Sequence, residues 1–550
     1  MSNRLLINHK YIEIQCDKND WETHNLVSQI PYVHSNRTKT KFRTTSRNIA
    51  LVLKLFRGID ESNVDTLPPS IREIWDMEIN KQTRTKALLE HGPQHPRGWL
   101  YAHQQLGREL AEIHDRYAFF YDKRTGKTPM SLQIIADDIA KNPDHKWLVI
   151  CPLILIENAW LPDAVRFFPE LKVVNLHDKT KAKRLKKFQQ DANLYITNIE
   201  SFVNYREYID KLNIHGCFVD ESSAMKSSRS KFGKEAVDFA QTLERWYLLS
   251  GTPAPNGEWE YYRQLQSIDY YGVNQSWTQF KNYFFDNISY NPQFEKLQVK
   301  PDKKNELLQL LRKYSVYVDK EDVLNTPGRD FVTVDITMPK ELTEQYNQLR
   351  RELYLELMEG DVLITAPSAG AKRNKLNQVT SGFIIDTKSQ ETHLLSAYRF
   401  DVLKKILHNI GDEQAIIWCN YHKEFEVIQN MLGDRCACVY GKVSIEDKNK
   451  NLKAFKEGKV QYLVANPASA DKGLTLTNTR FAIYFSMNDS LELFEQSVDR
   501  IYGDKSKQPH RCTYFIIQAK GTVDEVIYQS IRNKGDVSMA ILNHLKGGIQ

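Results

Sequence analysis

The stretch from Phe119 to Leu132 reads FFYDKRTGKTPMSL and joins an apolar run to a helical pattern that begins near Met130. Its Gly126-Lys127-Thr128 is the end of a phosphate-binding loop, although the leading glycine of the full pattern is replaced by Tyr121. A loop between a strand and a helix N-terminus lets backbone N–H groups face an anion. Because three residues alone do not identify such a loop, the rest of the chain decides whether this one binds a nucleotide.

If the loop is functional, each of its residues has a defined task. Gly126 permits close approach of the backbone to phosphate, Lys127 reaches the β- and γ-phosphates, and the Thr128 hydroxyl binds Mg²⁺. The cofactors predicted on this basis are ATP and Mg²⁺.

Length and composition describe an ordinary globular chain. At 550 residues it is too long for one hydrophobic core, and domain-size statistics suggest roughly three to four units. The content of 41% hydrophobic and 26% charged residues argues against disorder. The net charge of +6 is modest, but basic residues cluster in a way that either neutralises phosphates or forms a solvated surface.

Cysteine usage and the N-terminus bear on location. The seven cysteines show no CxxC pair or metal-ligand spacing, which indicates a reducing compartment. The N-terminus lacks a signal-peptide core, and the apolar run from Trp147 to Ile156 is too short to span a bilayer. We therefore expect a cytoplasmic protein without membrane association.

Short apolar strands alternate with amphipathic helices in two parts of the chain. This alternation is typical of right-handed crossovers and a largely parallel sheet. The predicted strands are 117–121, 147–151, 173–175, 194–197, 217–219 and 246–249 in the first part, and 415–419, 436–440, 462–465, 481–485 and 512–517 in the second.

The predicted fold class is α/β, with two parallel-sheet lobes, helical insertions and a small N-terminal α/β accessory domain. The boundaries follow the change of pattern along the chain. They give an accessory, DNA-binding domain at 1–95, an ATP-binding lobe at 96–290, a linker and helical insertion at 291–385, and a second lobe at 386–550.

A pair of carboxylates supports the nucleotide interpretation. The predicted strand Cys217–Val219 ends in Asp220-Glu221. In a parallel sheet, ligands bind beyond the carboxyl ends of the strands. An aspartate there holds the metal, and a neighbouring glutamate orients and deprotonates the attacking water.

Further segments stand in order along the same part of the chain: His103-Gln104, Val149–Leu153 with Trp160, Ile196–Ser201, Asp220–Ser223 with Lys226, Leu249–Asn256, Gly473–Leu476 and Gln496–Ile501. Together with the phosphate loop they resemble superfamily 2 helicases, specifically the sucrose-nonfermenting (SNF-type) branch of DNA translocases, and the compact acidic motif is similar to phage and prophage members. The resemblance covers residues 96 to 545 with the motifs in the family's order. It implies that the two parallel-sheet lobes are RecA-like and that the protein acts in a bacterial or phage-infected cell.

The resemblance implies roles for individual residues. Catalysis is assigned to Lys127, Thr128, Asp220, Glu221, Gln496 and Arg500, with Arg500 as an arginine finger and Thr128 and Asp220 as metal ligands. Nucleotide binding is assigned to Gln104, Arg124, Thr125, Gly126, Lys127, Thr128 and Gly473. Nucleic-acid contacts are assigned to Pro152, Thr197, Asn198, Lys226, Thr252 and Thr475.

Two departures from the family pattern leave alternatives open. Arg124 replaces a glycine of the loop, and it either contacts phosphate or lies on the surface. Gly503 replaces a second arginine three residues after Arg500, for which Lys505, Lys507 or Arg511 is a candidate substitute. If the second arginine is needed, the chain is an ATP-gated DNA-binding or recruitment protein with weak or no turnover.

The expected function is an ATPase that translocates along DNA and remodels it. The resemblance implies a monomer acting on duplex, forked or branched DNA, with single strands as a further substrate. Phosphate contacts carry little sequence information, so binding should depend strongly on salt and weakly on sequence. An RNA helicase is a third interpretation, which the Ser250–Asn256 pattern disfavours.

Overall fold

The computed structural model describes residues 4–7, 11–15, 39–43, 52, 69–93, 98–270, 273, 276–289, 296–359, 366–386, 391–469, 475–506 and 508–544. The chain divides into two units. The first unit comprises Met1–Asp286, Leu297–Val323 and Ser538–Gln550, and the second comprises Asn287–Lys296 and Leu324–Val537.

The described strands, in chain order, are β1 (Arg4–Ile7), β2 (Tyr11–Gln15), β3 (Lys39–Arg43), β4 (Arg116–Tyr121), β5 (Trp147–Cys151), β6 (Val173–Asn175), β7 (Leu194–Asn198), β8 (Gly216–Asp220), β9 (Arg245–Leu249), β10 (Phe285–Asn287), β11 (Leu297–Val299), β12 (Ser315–Val318), β13 (Arg329–Ile336), β14 (Phe383–Ile385), β15 (Thr392–Leu394), β16 (Ala415–Trp418), β17 (Cys436–Val439), β18 (Tyr462–Ala465), β19 (Phe481–Tyr484) and β20 (Cys512–Ala519).

The described helices are α1 (Pro69–His91), α2 (Ala102–Ile113), α3 (Lys127–Lys141), α4 (Leu153–Leu155), α5 (Leu161–Phe167), α6 (Lys181–Lys187), α7 (Ile199–Asn204), α8 (Arg206–Ile209), α9 (Lys231–Ala240), α10 (Tyr261–Ile268), α11 (Trp277–Phe284), α12 (Lys304–Tyr314), α13 (Lys320–Val323), α14 (Lys340–Glu359), α15 (Ala366–Thr380), α16 (Tyr398–Ile410), α17 (His422–Leu432), α18 (Ile445–Lys456), α19 (Leu491–Val498) and α20 (Val523–His544). A wide turn, Ile156–Trp160, joins α4 to α5.

The main sheet of the first unit has seven strands in the order β12-β4-β9-β8-β5-β7-β6. Every neighbouring pair is parallel. All residues of β5, β7 and β8 are buried, as expected for strands covered by helices on both faces. Since the strands are parallel, the chain leaves β4, β5, β7, β8 and β9 at the same edge of the sheet.

The main sheet of the second unit has six strands in the order β13-β20-β19-β16-β18-β17, again all parallel. The central strands β16 and β18 are fully buried. Their apolar side chains belong to two clusters, one of which includes Leu403 and Phe425 and the other Phe455 and Tyr514.

These two sheets confirm the predicted α/β class with two parallel-sheet lobes. Each of the eleven strands predicted for the lobes is present within three residues of its predicted ends. Two sheet strands were not predicted: β12 pairs with β4, and β13 pairs with β20. Both lie in the range 291–385, which the sequence analysis assigned to a linker and helical insertion.

The described part of the N-terminal region contains an antiparallel sheet of β1, β2 and β3. Strand β2 has the alternating sequence YIEIQ, in which Ile12 and Ile14 are buried. Of the basic segment from Arg37 to Arg47, residues 39–43 belong to the described part of the chain and form β3. Across the parts of the chain that are described, no helix has the length and apolar character needed to cross a membrane.

Candidate active site

The phosphate loop connects β4 to α3 in the predicted position. Its backbone takes left-handed conformations at Arg124, with φ of 67°, and at Gly126, with φ of 78°. Inside the loop, the Thr125 hydroxyl donates to the Asp122 carbonyl at 2.7 Å. Helix α3 begins at Lys127, three residues before the predicted start near Met130. Lys127 and Thr128 therefore lie in the first turn, where backbone N–H groups have no partner within the helix.

Helix α2 holds the loop through two side chains. The Gln104 amide donates to the carbonyls of Thr125 at 3.3 Å and Gly126 at 3.1 Å, while its own oxygen accepts the Tyr101 N–H at 2.9 Å. The His103 ring donates to the Thr125 carbonyl at 2.7 Å, and burial lowers the pKa of His103. A Cβ at Gly126 would overlap the Gln104 amide, so this packing requires glycine. Gln104, assigned to nucleotide binding from the sequence, thus fixes the loop in this structure.

Lys127 extends across the mouth of the loop. Its ammonium donates to the carbonyls of Tyr121 at 2.9 Å and Asp122 at 3.2 Å. Its positive charge also acts on Asp220, where it opposes the rise in the pKa of the carboxyl group. The predicted phosphate-binding lysine and the predicted metal ligand therefore interact electrostatically.

Asp220 is the last residue of β8 and is 5% exposed. Burial, followed by the charge of Glu221, raises the pKa of Asp220 to about 6. Lys127 and two donors limit the rise: Trp160 Nε1 donates to Asp220 Oδ2 at 2.9 Å, and the Glu221 N–H donates to Oδ1 at 3.0 Å. The carboxyl group is mostly ionised at neutral pH and close to its titration range.

Glu221 follows Asp220 in a left-handed conformation, with φ of 58°. Left-handed residues other than glycine cost free energy and are often found at functional sites. The side chain of Glu221 is half-buried, whereas that of Asp220 is buried. The two carboxylates therefore occupy different environments, which favours different protonation behaviour for neighbouring acidic groups.

The Leu249–Asn256 segment lies beside both the phosphate loop and the segment that carries Asp220 and Glu221. A Cβ at Gly251 would contact Lys123 of the phosphate loop. From the other side, the Ser222 hydroxyl donates to Gln264 Oε1 at 2.8 Å, and Gln264 Nε2 donates to the Pro253 carbonyl at 2.8 Å. The loop, the carboxylate pair and the Leu249–Asn256 segment thus form one connected group.

The residues assigned to nucleic acid in the first unit lie at or after the carboxyl ends of its strands, with Thr197 and Asn198 as the last two residues of β7. Pro152 and Lys226 are half-buried. Thr197 is fully buried, while Asn198 and Thr252 are 7% and 5% exposed. In this conformation Pro152 and Lys226 are the more accessible of the five.

The second unit carries the remaining assigned residues. Arg500 is 5% exposed and Gln496 is 7% exposed. The Leu476 N–H donates to the Arg500 carbonyl at 2.8 Å, which places the exposed Thr475 close to Arg500 along the backbone. Gly503 is buried. Gly473 lies outside the described residues, as does Lys507.

Two contributing side chains were not assigned from the sequence. Trp160 was recognised only as part of a motif, and its bond to Asp220 spans sixty positions. Gln264 lies in α10, outside every motif, and its buried amide joins two motifs. No local sequence pattern marks either contact, because both depend on how the helices pack.

Comparison with protein families gives two matches along the chain. Residues 25–393, more than half of the chain, match the SNF2-related domain, and residues 398–503 match the helicase conserved C-terminal domain.

Individual relatives are distant in sequence. Protein p41 of Acyrthosiphon pisum secondary endosymbiont phage 1 is 24% identical over 76% of this chain and 93% of its own length. The Drosophila melanogaster SWI/SNF-related matrix-associated actin-dependent regulator of chromatin subfamily A-like protein 1 is 20% identical over 71% of this chain and 49% of its own length. The human DNA annealing helicase and endonuclease ZRANB3 is 22% identical, and the alignment covers 71% of this chain and 36% of ZRANB3.

Among solved structures, the Sulfolobus solfataricus SWI2/SNF2 ATPase core in complex with double-stranded DNA aligns with 82% of this chain and 97% of that chain, at 18% identity and a TM-score of 0.38. The two family matches follow one another along the chain in the same order as the two parallel sheets. The chain belongs to the SNF2-related family and is a superfamily 2 helicase-like ATPase.

Proposed function

We propose that this chain is an ATP-dependent DNA translocase that tracks along duplex, forked or branched DNA and remodels it. The observation that carries the proposal is the buried Asp220 at the end of β8, held by Trp160, influenced by Lys127 and followed by Glu221. A buried carboxylate with a pKa of about 6 destabilises the nucleotide-free unit, so it needs a functional reason.

The residues of the first unit suit Mg²⁺ and ATP. Mg²⁺ prefers oxygen ligands, which the Asp220 carboxylate and the Thr128 hydroxyl provide. When bound, the ion neutralises charge on the β- and γ-phosphates. Lys127 and the N–H groups at the start of α3 bind phosphate oxygens, and Glu221 orients and deprotonates the attacking water.

Residues of the second unit complete the proposed ATPase chemistry. Arg500 supplies the positive charge that stabilises the transferring phosphoryl group, with Gln496 beside it contacting phosphate or water. Gly473 belongs to the proposed nucleotide contacts by its position in the motif. Cycles of ATP binding and hydrolysis would then alternate the two units between states and move the DNA.

DNA as the track is supported by charge on the first unit. Helix α6 has the sequence KAKRLKK, and its Lys181, Lys183 and Lys186 are exposed. Arg184 of the same helix approaches the Ser201 hydroxyl at 3.4 Å, which connects the helix to the Ile196–Ser201 motif. Exposed lysines on a short helix neutralise backbone phosphates without reading sequence.

The test is steady-state ATP hydrolysis with no nucleic acid, and then with single-stranded, duplex and forked DNA and with RNA. Glu221→Gln should lower turnover by about 10²- to 10⁴-fold while ATP binding is retained, because the variant loses only the general base. Glu207→Gln, at an exposed position of the same unit, is the matched control and should behave as the unaltered chain.

Translocation is measured separately, by ATP-dependent displacement of a third strand from a DNA triplex. Stimulation by RNA alone would overturn DNA as the track. Absence of turnover on every nucleic acid, with turnover restored in Gly503→Arg, would replace the motor by an ATP-gated binding protein. A thermal melt of Gly503→Arg accompanies that assay because the position is buried.

A further inference from the structure

Three side chains with metal-binding atoms meet in the first unit at the sheet edge opposite the phosphate loop. Asp138 lies in the last turn of α3, His145 lies just before β5, and His215 lies directly before β8. Strands β5 and β8 are parallel neighbours with Trp147 opposite Gly216. Their amino ends therefore bring the two imidazoles together, and the rings stack with centroids 3.6 Å apart.

We propose that Asp138, His145 and His215 form a binding site for a divalent transition-metal ion of the Zn²⁺ type. One donor atom from each residue lies within 4.8 Å of the others. His145 Nδ1 and Asp138 Oδ2 are 2.9 Å apart, so a metal ion would replace the proton that these two atoms now share. Binding would require side-chain rotations that bring one donor atom of each residue to about 2.0–2.2 Å from the ion, the distances typical of zinc.

The donor set defines the class of metal. Two imidazole nitrogens and one carboxylate oxygen suit Zn²⁺, Co²⁺, Ni²⁺ or Fe²⁺, whereas Mg²⁺ and Ca²⁺ prefer oxygen ligands alone. The site is thereby chemically distinct from the proposed Mg²⁺ position at Asp220. It is also separated from that position by the length of the strands, since β5 and β8 run from one edge to the other.

The surroundings orient the carboxylate and leave an access route. Trp147 Nε1 donates to Asp138 Oδ2 at 2.8 Å, and outer partners of this kind fix the orientation of metal ligands. A surface cleft of about 480 Å³ is lined by His145, His215 and Glu244. Glu244 Oε2 is 3.8 Å from His215 Nδ1, so it offers a further oxygen to the ion or to a bound water.

One neighbouring charge opposes binding. A guanidinium nitrogen of Arg245 lies 3.7 Å from Asp138 Oδ1. Its positive charge competes with a cation for the carboxylate, so the affinity should be weaker than that of a closed structural zinc site. Replacing Arg245 should therefore raise the affinity for the metal ion, whereas replacing either histidine should lower it.

The experiment is a titration of the full chain with Zn²⁺, followed calorimetrically in the presence of excess Mg²⁺, together with Co²⁺ absorption spectra. We expect one ion per chain, binding about 10- to 100-fold weaker in His145→Gln and in His215→Gln, and tighter binding in Arg245→Gln. The chain has fifteen histidines, so the matched control removes one outside the proposed site: His408→Gln, at an exposed position of the second unit, should leave the affinity for Zn²⁺ unchanged.

Equal affinity in the unaltered chain, His145→Gln and His215→Gln would overturn the site, because the ion would then bind elsewhere. A Co²⁺ spectrum of the unaltered chain without imidazole ligation would do the same, and it does not depend on whether a variant folds. Absence of binding would leave Asp138 as a hydrogen-bond acceptor for His145 and Trp147 only. ATP hydrolysis in Mg²⁺ is measured in parallel and should not depend on the presence of Zn²⁺.

Discussion

Trp160→Phe should shift the acid limb of the pH–activity profile. The substitution keeps an aromatic ring in the buried position and removes the N–H that donates to Asp220 Oδ2. A hydrogen bond contributes about 1.5–3 kcal/mol with a charged acceptor and about 0.5–1.5 kcal/mol with a neutral one. Losing it therefore costs the ionised form about 1–1.5 kcal/mol more than the protonated form.

The magnitude follows from the titration of Asp220. About 1.4 kcal/mol corresponds to one pH unit, so the pKa should rise from about 6 to roughly 7. A raised pKa lowers the ionised fraction, and only the ionised carboxylate binds Mg²⁺. At pH 6 that fraction falls from about one half to about one tenth, and at pH 9 it stays near unity. We expect kcat/KM for Mg-ATP to fall about fivefold at pH 6 and to be unchanged at pH 9.

The assay is the pH dependence of kcat/KM, which reports groups of the free enzyme. Trp418→Phe is the matched control, since Trp418 is also fully buried and its Nε1 makes no hydrogen bond within the described residues. It should reduce stability without moving the acid limb. An equal loss at every pH in Trp160→Phe, or an unmoved acid limb, would refute the reasoning.

Two further substitutions test contacts around the candidate site, one in the phosphate loop and one between Ser222 and Gln264. Gly126→Ala should weaken nucleotide binding, because its Cβ displaces the Gln104 amide that holds the loop and strains a left-handed residue; Gly458→Ala, at φ of 72° with open space around it, should cost only about 1–2 kcal/mol of stability. Fluorescent-nucleotide binding and thermal melting distinguish the two. Ser222→Ala leaves the Gln264 oxygen without its donor and should destabilise the unit by about 1–3 kcal/mol, measured by urea unfolding, with nucleotide affinity retained. Lost affinity in Ser222→Ala would contradict a purely structural bond.

Most strands of both lobes could be predicted because they are short apolar runs, and the central ones, such as β5, β8 and β16, are buried on both faces. The edge strand β13 could not, since its sequence RDFVTVDI has charged residues near both ends and is mostly exposed, so it is not a buried apolar run. It joins the sheet through β20, with Arg329 opposite Cys512, a pairing that no local pattern reveals. Strand β12 was also not predicted, because its place in the sheet depends on pairing with β4, almost two hundred residues earlier in the chain.

The candidate site likewise has a part that the sequence could predict and a part that it could not. Residues that act within one short motif, such as Lys127 and Asp220, could be proposed from residue type and position after a strand. Contacts that join motifs could not, because Trp160 and Gln264 reach their partners only through the packing of helices.

The phosphate loop lacks its leading glycine, and its left-handed backbone conformation is maintained by contacts from neighbouring segments. Arg124 takes a positive φ, which is unfavourable for a side chain with a Cβ by about 1–2 kcal/mol. The conformation persists because Gln104 and His103 bind the carbonyls that follow Arg124, while Gly251 allows close packing against Lys123. Each contact contributes about 0.5–1.5 kcal/mol, so together they offset the cost. The loop conformation is therefore imposed by neighbouring segments, and this is why its residues alone did not identify it.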